Sequence, residues 1–584
     1  MPLTNVWTLA CLSLTFASFS QAEIKALRGN PSSSVTNTAG GFVPGSAGSW
    51  LSPPYEWFFE YPMPVAPIKS SKLTYTNSST QDTIDYYEVE LKSFQKQIYP
   101  NLKPTELVGY DGISPGPMFI MQKGREAVVR FSNKGPTNLS VHVHGQYNRA
   151  PWDGWAGDIA LPGQYKDYYY PNSQNARTIW YHDHSEYATA EDTYRGQQGF
   201  YIITDVEEQG LGLPSGEYDV TIAIDAKVYN PDGSLRFDTN DNVGLWGDII
   251  HANGQPWPYL SVEPRKYRLR LLNGAISRTF SISLSVEKTD GFGDKIIDFN
   301  VIASDGGLFA HPVETTNLQI SMGERYEIIV DFSNYGGKNI TMKNARGMGE
   351  NIDYVATDMV MRFTVGNSVS NNSNNNLPSN LVHVPFPPDK TEADKDFTFE
   401  RIGDEWLING VGFSDVEHRI LTKPPRGAVE VWTLHNSGQG THPVHIHLVD
   451  FQVLSRTGGR NTVYPYEAAG LKDVVWLAAG ETVRVAARYA PWDGVYMFHC
   501  HNLVHEDHDM LVAFNVTQLG KWGYGESTHL IDPMEPEYRP KNIDPADYAS
   551  DAIVKKLSWF YSSDAYHHGK ETEVLLRTRC LLGG

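Results

Sequence analysis

Residues 499–510 read HCHNLVHEDHDM and enclose one cysteine, Cys500, between two histidines. Successive side chains of a β-strand point to opposite faces, so the Cys500 sulfur would lie on one face and the imidazoles of His499 and His501 on the other. Side chains that commonly bind metals would therefore occupy both faces of one strand. The stretch predicts a β-protein with two separate metal centres, joined by a single peptide bond on each side of Cys500.

A second stretch, HPVHIH at residues 442–447, repeats the two-sided pattern. His445 and His447 share one strand face, whereas His442, displaced by three positions, points to the other face. One face would thus collect His442, Cys500 and His505, and the other face would collect His445, His447, His499 and His501.

Two further histidine pairs lie nearer the start of the chain. They are His142 and His144 in HVHG, and His182 and His184 in HDH. Ten of the 19 histidines thus fall into four clusters, which indicates metal binding although a single histidine is usually an ordinary core or surface side chain. The histidines outside the clusters are interpreted as such ordinary side chains: His251, His311, His383, His418, His435, His508, His529, His567 and His568.

The types of ligand indicate which metal is bound. Two imidazoles, a thiolate and a weak thioether describe a blue-copper electron-transfer site, for which Met510 is the candidate thioether; a packed core methionine is the alternative. Imidazoles alone suit copper, zinc or iron, but a connection to a thiolate-bound copper favours copper. A disulfide between Cys500 and Cys580 is conceivable, although it would leave His442 and His505 without a thiolate to share a metal site with.

The rest of the chain predicts an all-β protein. Short runs rich in Val, Ile, Tyr, Phe and Thr, separated by Gly, Pro, Asn and Asp, are typical of repeated antiparallel sandwiches. Examples are residues 127–131, 267–272, 326–332, 429–434 and 482–487. At roughly 150 residues a domain, the length suggests three or four units. The chain is divided into a signal peptide at 1–22, an N-terminal arm or pro-region at 23–49, β-domains at 50–206, 207–370 and 380–520, an Asn/Ser-rich linker at 371–379, and a C-terminal tail at 521–584.

Charge and targeting signals predict a secreted, extracellular monomer. The formal net charge of −20 argues against nucleic acid and anionic membranes as partners, because both would be repelled. An apolar run from Val6 to Phe16, with Ser20 and Ala22 as the cleavage pair, predicts a signal peptide and is too short to span a bilayer. Cys11 would be removed together with the signal peptide. Sequons compatible with glycosylation begin at Asn77, Asn138, Asn339, Asn371 and Asn515.

The four clusters, taken in this order, resemble the signature of multicopper oxidases. The resemblance runs from DGISPGP at residues 111–117 to Met510, and it is closest to fungal bilirubin oxidases and the related spore-coat laccases. It includes NGQPWPYLSVEPRKYRLRLLN at 253–273, and HIHLVDF, GLKDVVWL and HNLVHEDHDM in the third domain. It implies three tandem cupredoxin-like domains, each a Greek-key β-sandwich or barrel.

The resemblance also implies four copper ions and assigns their ligands. The type 1 copper is assigned to His442, Cys500, His505 and Met510, the type 2 copper to His142 and His445, and the type 3 pair to His144, His182, His184, His447, His499 and His501. The middle domain contributes no ligand and acts as a spacer. Asp153 and Glu506 match carboxylates that supply protons; a turn-forming or ligand-orienting role is the alternative for each.

The implied reaction is one-electron oxidation of an organic reductant, with bilirubin to biliverdin favoured, coupled to reduction of dioxygen to water. Cys500 would pass electrons through its backbone to the flanking histidines.

In the bilirubin oxidases a Trp precedes the Thr and His of the third cluster, whereas here Gln439 and Gly440 precede Thr441. A laccase acting on phenols is therefore the alternative. A cuprous oxidase fits less well because the 12 methionines are scattered, and a copper-free relative would have lost ligands.

Overall fold

Six β-sheets, in three successive pairs along the chain, make up most of the structure. The structure is a computed structural model that describes residues 49–238, 243–287, 295–517 and 529–566. The expected all-β architecture of three tandem cupredoxin-like sandwiches is confirmed. The predictions for the signal peptide at 1–22, for nearly all of the arm at 23–49, and for Cys580 lie outside the described residues.

In the first pair of sheets, alternate valines of one strand point into the hydrophobic core. One sheet runs β1-β2-β5-β7 with β3 beside β2, and the other runs β4-β9-β8-β6. In β6, Val141 and Val143 join the buried core, which leaves His142 and His144 on the opposite face. The strands are β1 (Leu73–Thr76), β2 (Thr83–Lys96), β3 (Thr105–Tyr110), β4 (Phe119–Gln122), β5 (Glu126–Asn133), β6 (Val141–His144), β7 (Gln164–Tyr170), β8 (Arg177–Asp183) and β9 (Gln198–Thr204).

The second pair of sheets encloses a separate hydrophobic core. One sheet runs β12-β11-β10-β14-β20-β17-β18, and the other runs β13-β22-β21-β15-β16 with β19 beside β15. The strands are β10 (Asp219–Lys227), β11 (Ile249–Ala252), β12 (Gln255–Pro256), β13 (Tyr259–Val262), β14 (Lys266–Asn273), β15 (Phe280–Val286), β16 (Lys295–Ile297), β17 (Phe299–Ser304), β18 (Gly307–Thr315), β19 (Leu318–Ile320), β20 (Arg325–Asp331), β21 (Asn339–Asn344) and β22 (Met359–Val365).

The third pair of sheets contains the two strands that have candidate metal ligands on both faces. One sheet runs β24-β23-β26-β30-β28, and the other runs β25-β32-β31-β27-β29. In β31, Tyr496, Phe498 and Cys500 enter the core, so His499 and His501 face away from it. The strands are β23 (Lys395–Ile402), β24 (Glu405–Ile408), β25 (Ile420–Thr422), β26 (Val429–Asn436), β27 (His442–Ile446), β28 (Phe451–Thr457), β29 (Val474–Leu477), β30 (Thr482–Arg488), β31 (Gly494–Cys500) and β32 (Leu511–Val516).

Helices are few and short. They are α1 (Thr189–Arg195), α2 (Val206–Gln209), α3 (Pro465–Ala468), α4 (Leu503–Asp507) and α5 (Ser550–Ser562), with 3-10 turns at Ala150–Trp152, Gly216–Tyr218, Pro536–Tyr538 and Pro545–Tyr548. No described helix is both long and apolar enough to cross a bilayer. The five strand stretches named from the sequence lie in β5, β14, β20, β26 and β30, apart from Phe332, which follows β20. The domain and linker boundaries stay a prediction.

The described part of the C-terminal tail packs onto the first pair of sheets. A short strand, β33 (Lys541–Asn542), pairs with β7. Helix α5 buries Ile553, Leu557 and Phe560 in the core that β2, β5 and β7 also line. The spacing of these three residues by four and three positions is the helical pattern that would have predicted α5.

Candidate metal centres

Cys500 and two histidines converge inside the third domain. The Cys500 Sγ lies 3.3 Å from His442 Nδ1 and 3.7 Å from His505 Nδ1, and these two nitrogens are 3.3 Å apart. The side chain of Asn502 accepts a hydrogen bond from the N–H of Val504 at the start of α4, and this turn brings His505 back to the sulfur. All three ligand candidates are completely buried, and Cys500 is unpaired.

Met510 lies in the same core as Cys500. Its side chain is completely buried, and its carbonyl accepts a hydrogen bond from the Cys500 N–H at 3.1 Å. The fourth residue of the expected type 1 set is thus joined to Cys500 by a backbone hydrogen bond.

The other eight clustered histidines meet between the first and third domains. His142 Nε2 lies 3.4 Å from His445 Nε2, and His499 Nε2 lies 3.3 Å from His184 Nε2 and 3.2 Å from His447 Nε2. The ring nitrogens form three compact sets: His142, His144 and His445; His144, His182 and His501; and His184, His447 and His499. The two histidines that flank Cys500 therefore belong to different sets.

The hydrogen bonds of the imidazoles leave free nitrogens that fit a metal cluster. The Nδ1 atoms of His142, His182 and His445 face the carbonyl oxygens of Asp153, Asp183 and Asp473 at 2.6, 2.7 and 2.8 Å, so each Nε2 keeps its lone pair. Among the described residues, no hydrogen-bond partner reaches four buried nitrogens: His182 Nε2, His144 Nδ1 and both ring nitrogens of His501. Buried polar atoms of this kind are costly unless a ligand satisfies them, and imidazole with thiolate suits copper.

Burial keeps the histidines in the neutral form that binds metals. It is the largest cause that lowers the pKa of His182 to about 3, of His184 to about 4 and of His442 to about 3. Burial also raises the pKa of the Cys500 thiol well above its usual range. A bound cation would therefore be needed to hold the sulfur as a thiolate.

The two carboxylates named from the sequence contact histidines of the eight-membered cluster. Asp153 Oδ2 lies 2.8 Å from His447 Nδ1, and burial raises the Asp153 pKa well above its usual range. Glu506 Oε2 lies 2.9 Å from His499 Nδ1. Burial raises the pKa of Glu506, but His499 and His184 outweigh it and lower this pKa to about 2. Both carboxylates named from the sequence are thus placed beside the cluster.

Sequence reasoning missed Trp406, which covers the histidines of the Cys500 site. Its indole stacks on the His505 imidazole with ring centroids 3.8 Å apart and meets His442 edge-on at 5.4 Å. Trp406 is 4% exposed, whereas His442 and His505 are 0% exposed. Neither imidazole is therefore accessible from solvent in the described part of the chain. The isolated Trp in GDEWLING, residues 403–410, has no spacing relation to the histidines that would have pointed to this position.

The unusual loop before His442 lies against a carboxylate of the second domain. Glu350 Oε1 accepts hydrogen bonds from the N–H and hydroxyl of Thr441 at 3.2 and 3.1 Å. A Cβ added to Gly440 would lie 2.9 Å from Glu350 Oε2 and 3.6 Å from Cη2 of Trp406. A larger side chain at residue 440 would collide with this carboxylate unless Glu350 moved. Glu350 of the second domain thus lies against the loop that leads to the type 1 candidate His442.

Comparison with known sequences gives consistent matches along the chain. Three domain models, each described as multicopper oxidase, match residues 93–208, 180–362 and 385–519. A bilirubin oxidase of Albifimbria verrucaria is 52% identical over 494 residues, which cover 83% of this chain and 85% of that protein. A laccase of Bacillus stratosphericus is 32% identical over 496 residues, covering 74% of this chain and 95% of that protein.

A solved structure has the same fold. The crystal structure of a multicopper oxidase from Aquifex aeolicus superposes with a TM-score of 0.69 at 26% identity. The superposition covers 78% of this chain and 99% of that chain.

Proposed function

Because this chain belongs to the multicopper oxidase family, we propose that it oxidises bilirubin to biliverdin and passes the electrons to dioxygen. The chain is a copper-dependent oxidoreductase with the family's complement of four copper ions, and small organic reductants and dioxygen are its substrates. Two bilirubin molecules, each losing two electrons and two protons, reduce one dioxygen to two waters. The 52% identity to a bilirubin oxidase supports this choice of reductant.

One observation carries the proposal: Cys500 lies in one ligand set, while His499 and His501 lie in two others. In the proposed assignment, His442, Cys500, His505 and Met510 hold the type 1 copper, and His142 and His445 hold the type 2 copper. The type 3 pair takes His144, His182 and His501 on one side, and His184, His447 and His499 on the other. When bound, copper supplies the one-electron redox steps and the site for dioxygen.

The protein's own groups have three tasks in this proposal. The backbone from Cys500 to its neighbours links the two centres covalently. Asp153, whose pKa is raised, holds a proton at Oδ2 beside the histidine cluster, and the ionised Glu506 offers Oε1 and Oε2 as proton acceptors there. The fully buried histidines exclude bulk water from the Cys500 site.

Neutralising either carboxylate tests the proton-holding role. We expect Asp153→Asn and Glu506→Gln to slow dioxygen reduction more than reductant oxidation, because only the former consumes protons. Stopped-flow measurement of the reductive and oxidative half-reactions separates the two steps. Equal slowing of both half-reactions would count against the role.

A laccase that acts mainly on phenols is the second candidate. The observation that favours it is the loop before His442, where Gln439 and Gly440 precede Thr441 and where Glu350 of the second domain packs against the backbone. A cuprous oxidase fits less well because the methionines are scattered.

A comparison of kcat/KM for bilirubin, a simple phenol and cuprous ion tests the substrate choice. We expect bilirubin to give the highest value. A preference for the phenol of more than about tenfold, or about 1.4 kcal/mol in transition-state binding, would identify a laccase instead.

The proposed setting is extracellular. We propose a secreted, glycosylated monomer that does not bind membranes or nucleic acid, on the basis of the apolar N-terminal run, the sequons and the net charge of −20.

A further inference from the structure

One aspartate outside the assigned ligands contacts two histidines of the cluster, one through its carboxylate and one through its backbone carbonyl. Asp473 precedes β29 and is 1% exposed. Its Oδ1 lies 3.0 Å from His144 Nε2, and its carbonyl oxygen lies 2.8 Å from His445 Nδ1. The same residue thus contacts one proposed type 3 histidine and one proposed type 2 histidine.

These contacts decide which nitrogen of each ring is free. A neutral imidazole carries its proton on one nitrogen and its lone pair on the other, so the ring donates from the nitrogen that faces an oxygen. His144 donates from Nε2, and its Nδ1 is buried without another partner. His445 donates from Nδ1, which leaves its Nε2 3.4 Å from His142 Nε2. The two rings therefore offer opposite nitrogens to the cluster.

The second domain holds Asp473 in place. Arg325, the first residue of β20, donates from Nη1 to Oδ1 and from Nη2 to Oδ2 of Asp473, both at 2.6 Å. The Arg325 side chain is 0% exposed, and the N–H groups of Arg325 and Asp473 both donate to Asp305. A planar guanidinium that binds both carboxylate oxygens fixes the carboxylate plane as well as its position.

The backbone after His144 is shaped around this pair. Gly145 has φ +94°, and a Cβ there would lie 2.7 Å from both Arg325 Nη2 and Asp473 Oδ2. Only glycine accepts that conformation and leaves room for the pair at once.

We propose that Asp473, clamped by Arg325 of the second domain, is a positioning residue that selects the metal-binding nitrogens of His144 and His445. The inference rests on the proposed assignment of these histidines as copper ligands. The proposed type 2 and type 3 coppers together form what we call the trinuclear site. The inference gives the middle domain a part in this site beyond that of a spacer.

Asp473→Asn tests the proposal. An amide has a single oxygen, so it cannot accept from Arg325 and His144 at both former oxygen positions without setting two donors against each other. We expect copper affinity of the trinuclear site, measured by chelator titration, to fall roughly 10- to 100-fold, as for other groups that orient metal ligands. The type 2 electron paramagnetic resonance signal should weaken, while the blue type 1 band and its reduction potential stay unchanged.

Further variants distinguish a positioning role of Asp473 from a general loss of folding. Gly145→Ala leaves the charges of Asp473 and Arg325 in place and, like Asp473→Asn, should lower the copper affinity of the trinuclear site. Arg325→Lys should retain more trinuclear copper than Arg325→Gln, because it keeps the charge. The matched control is Asp167→Asn, which breaks another buried pair, with Arg130 at 2.7 and 3.0 Å, in the first domain. It should leave the copper distribution unchanged.

Two results would overturn the inference. One is full trinuclear copper with an unchanged type 2 signal in Asp473→Asn. The other is equal loss of type 1 and trinuclear copper in Asp473→Asn and Asp167→Asn. Either would leave the proposed function standing if the parent protein holds four coppers. A parent protein without trinuclear copper would overturn the proposed function and this inference together, before any variant is compared.

Discussion

At the scale of the residue, the Cys500 site combines ligands named from the sequence with an aromatic cover that was not. The alternation of side chains in β27 and β31 predicted that His442 and Cys500 share a face, and in the structure these two side chains lie 3.3 Å apart. Trp406 comes from a hairpin strand and carries no spacing relation to the histidines. Residues brought together by strand pairing across a sandwich leave no local pattern to detect.

Met510 is expected to tune the electron-accepting centre. A thioether stabilises the cupric state, so Met510→Leu should raise the type 1 reduction potential while the blue colour remains. A redox titration followed at the blue absorption band measures this. A lowered potential would contradict the ligand assignment of Met510.

Trp406 is expected to carry electrons into that centre. The stacked indole is the only one of the three rings Trp406, His442 and His505 with any exposed surface. Trp406→Leu should slow anaerobic reduction of the blue copper roughly tenfold, a barrier change of about 1.4 kcal/mol, and Trp406→Phe should slow it less. Reoxidation by dioxygen serves as the control and should keep its rate. An unchanged reduction rate in Trp406→Leu would remove this role.

At the scale of the element, the strands were predicted from the sequence, whereas helix α5 was missed although its buried residues have helical spacing. The histidine strands β6, β27 and β31 carry an alternation of two that can be read directly. Helix α5 lies in a stretch rich in Pro, Tyr and charge, where the strand rhythm ends. Its partners are far away in sequence: Phe560 and Tyr566 pack on Trp152 with ring centroids 5.8 and 5.9 Å apart.

This segment is expected to stabilise the fold. Phe560 is 1% exposed, so Phe560→Ala should cost about 3–5 kcal/mol of unfolding free energy through lost burial and the cavity left behind. Val554→Ala, on the same helix at 40% exposure, is the control and should cost within about 0.5 kcal/mol. Midpoints of heat unfolding compare the two variants. Equal midpoints would show that α5 contributes little to stability.

At the scale of the whole molecule, the histidine cluster joins the first and third domains. The sequence indicated this division, because it placed two histidine pairs early and the rest late in the chain. It did not indicate that Arg325 of the second domain reaches Asp473, or that Glu350 reaches Thr441. Such contacts depend on how domains pack, and they involve charged residues whose sequence surroundings resemble those of ordinary surface residues.

The central claim is that one sulfur and its two flanking imidazoles connect separate copper sites. The most direct test is reductant-driven dioxygen consumption by Cys500→Ser, measured together with its copper content and visible spectrum. The claim predicts a colourless protein that keeps trinuclear copper but no longer couples reductant oxidation to dioxygen reduction. A blue protein, or one that consumes dioxygen at the parent rate, would contradict it.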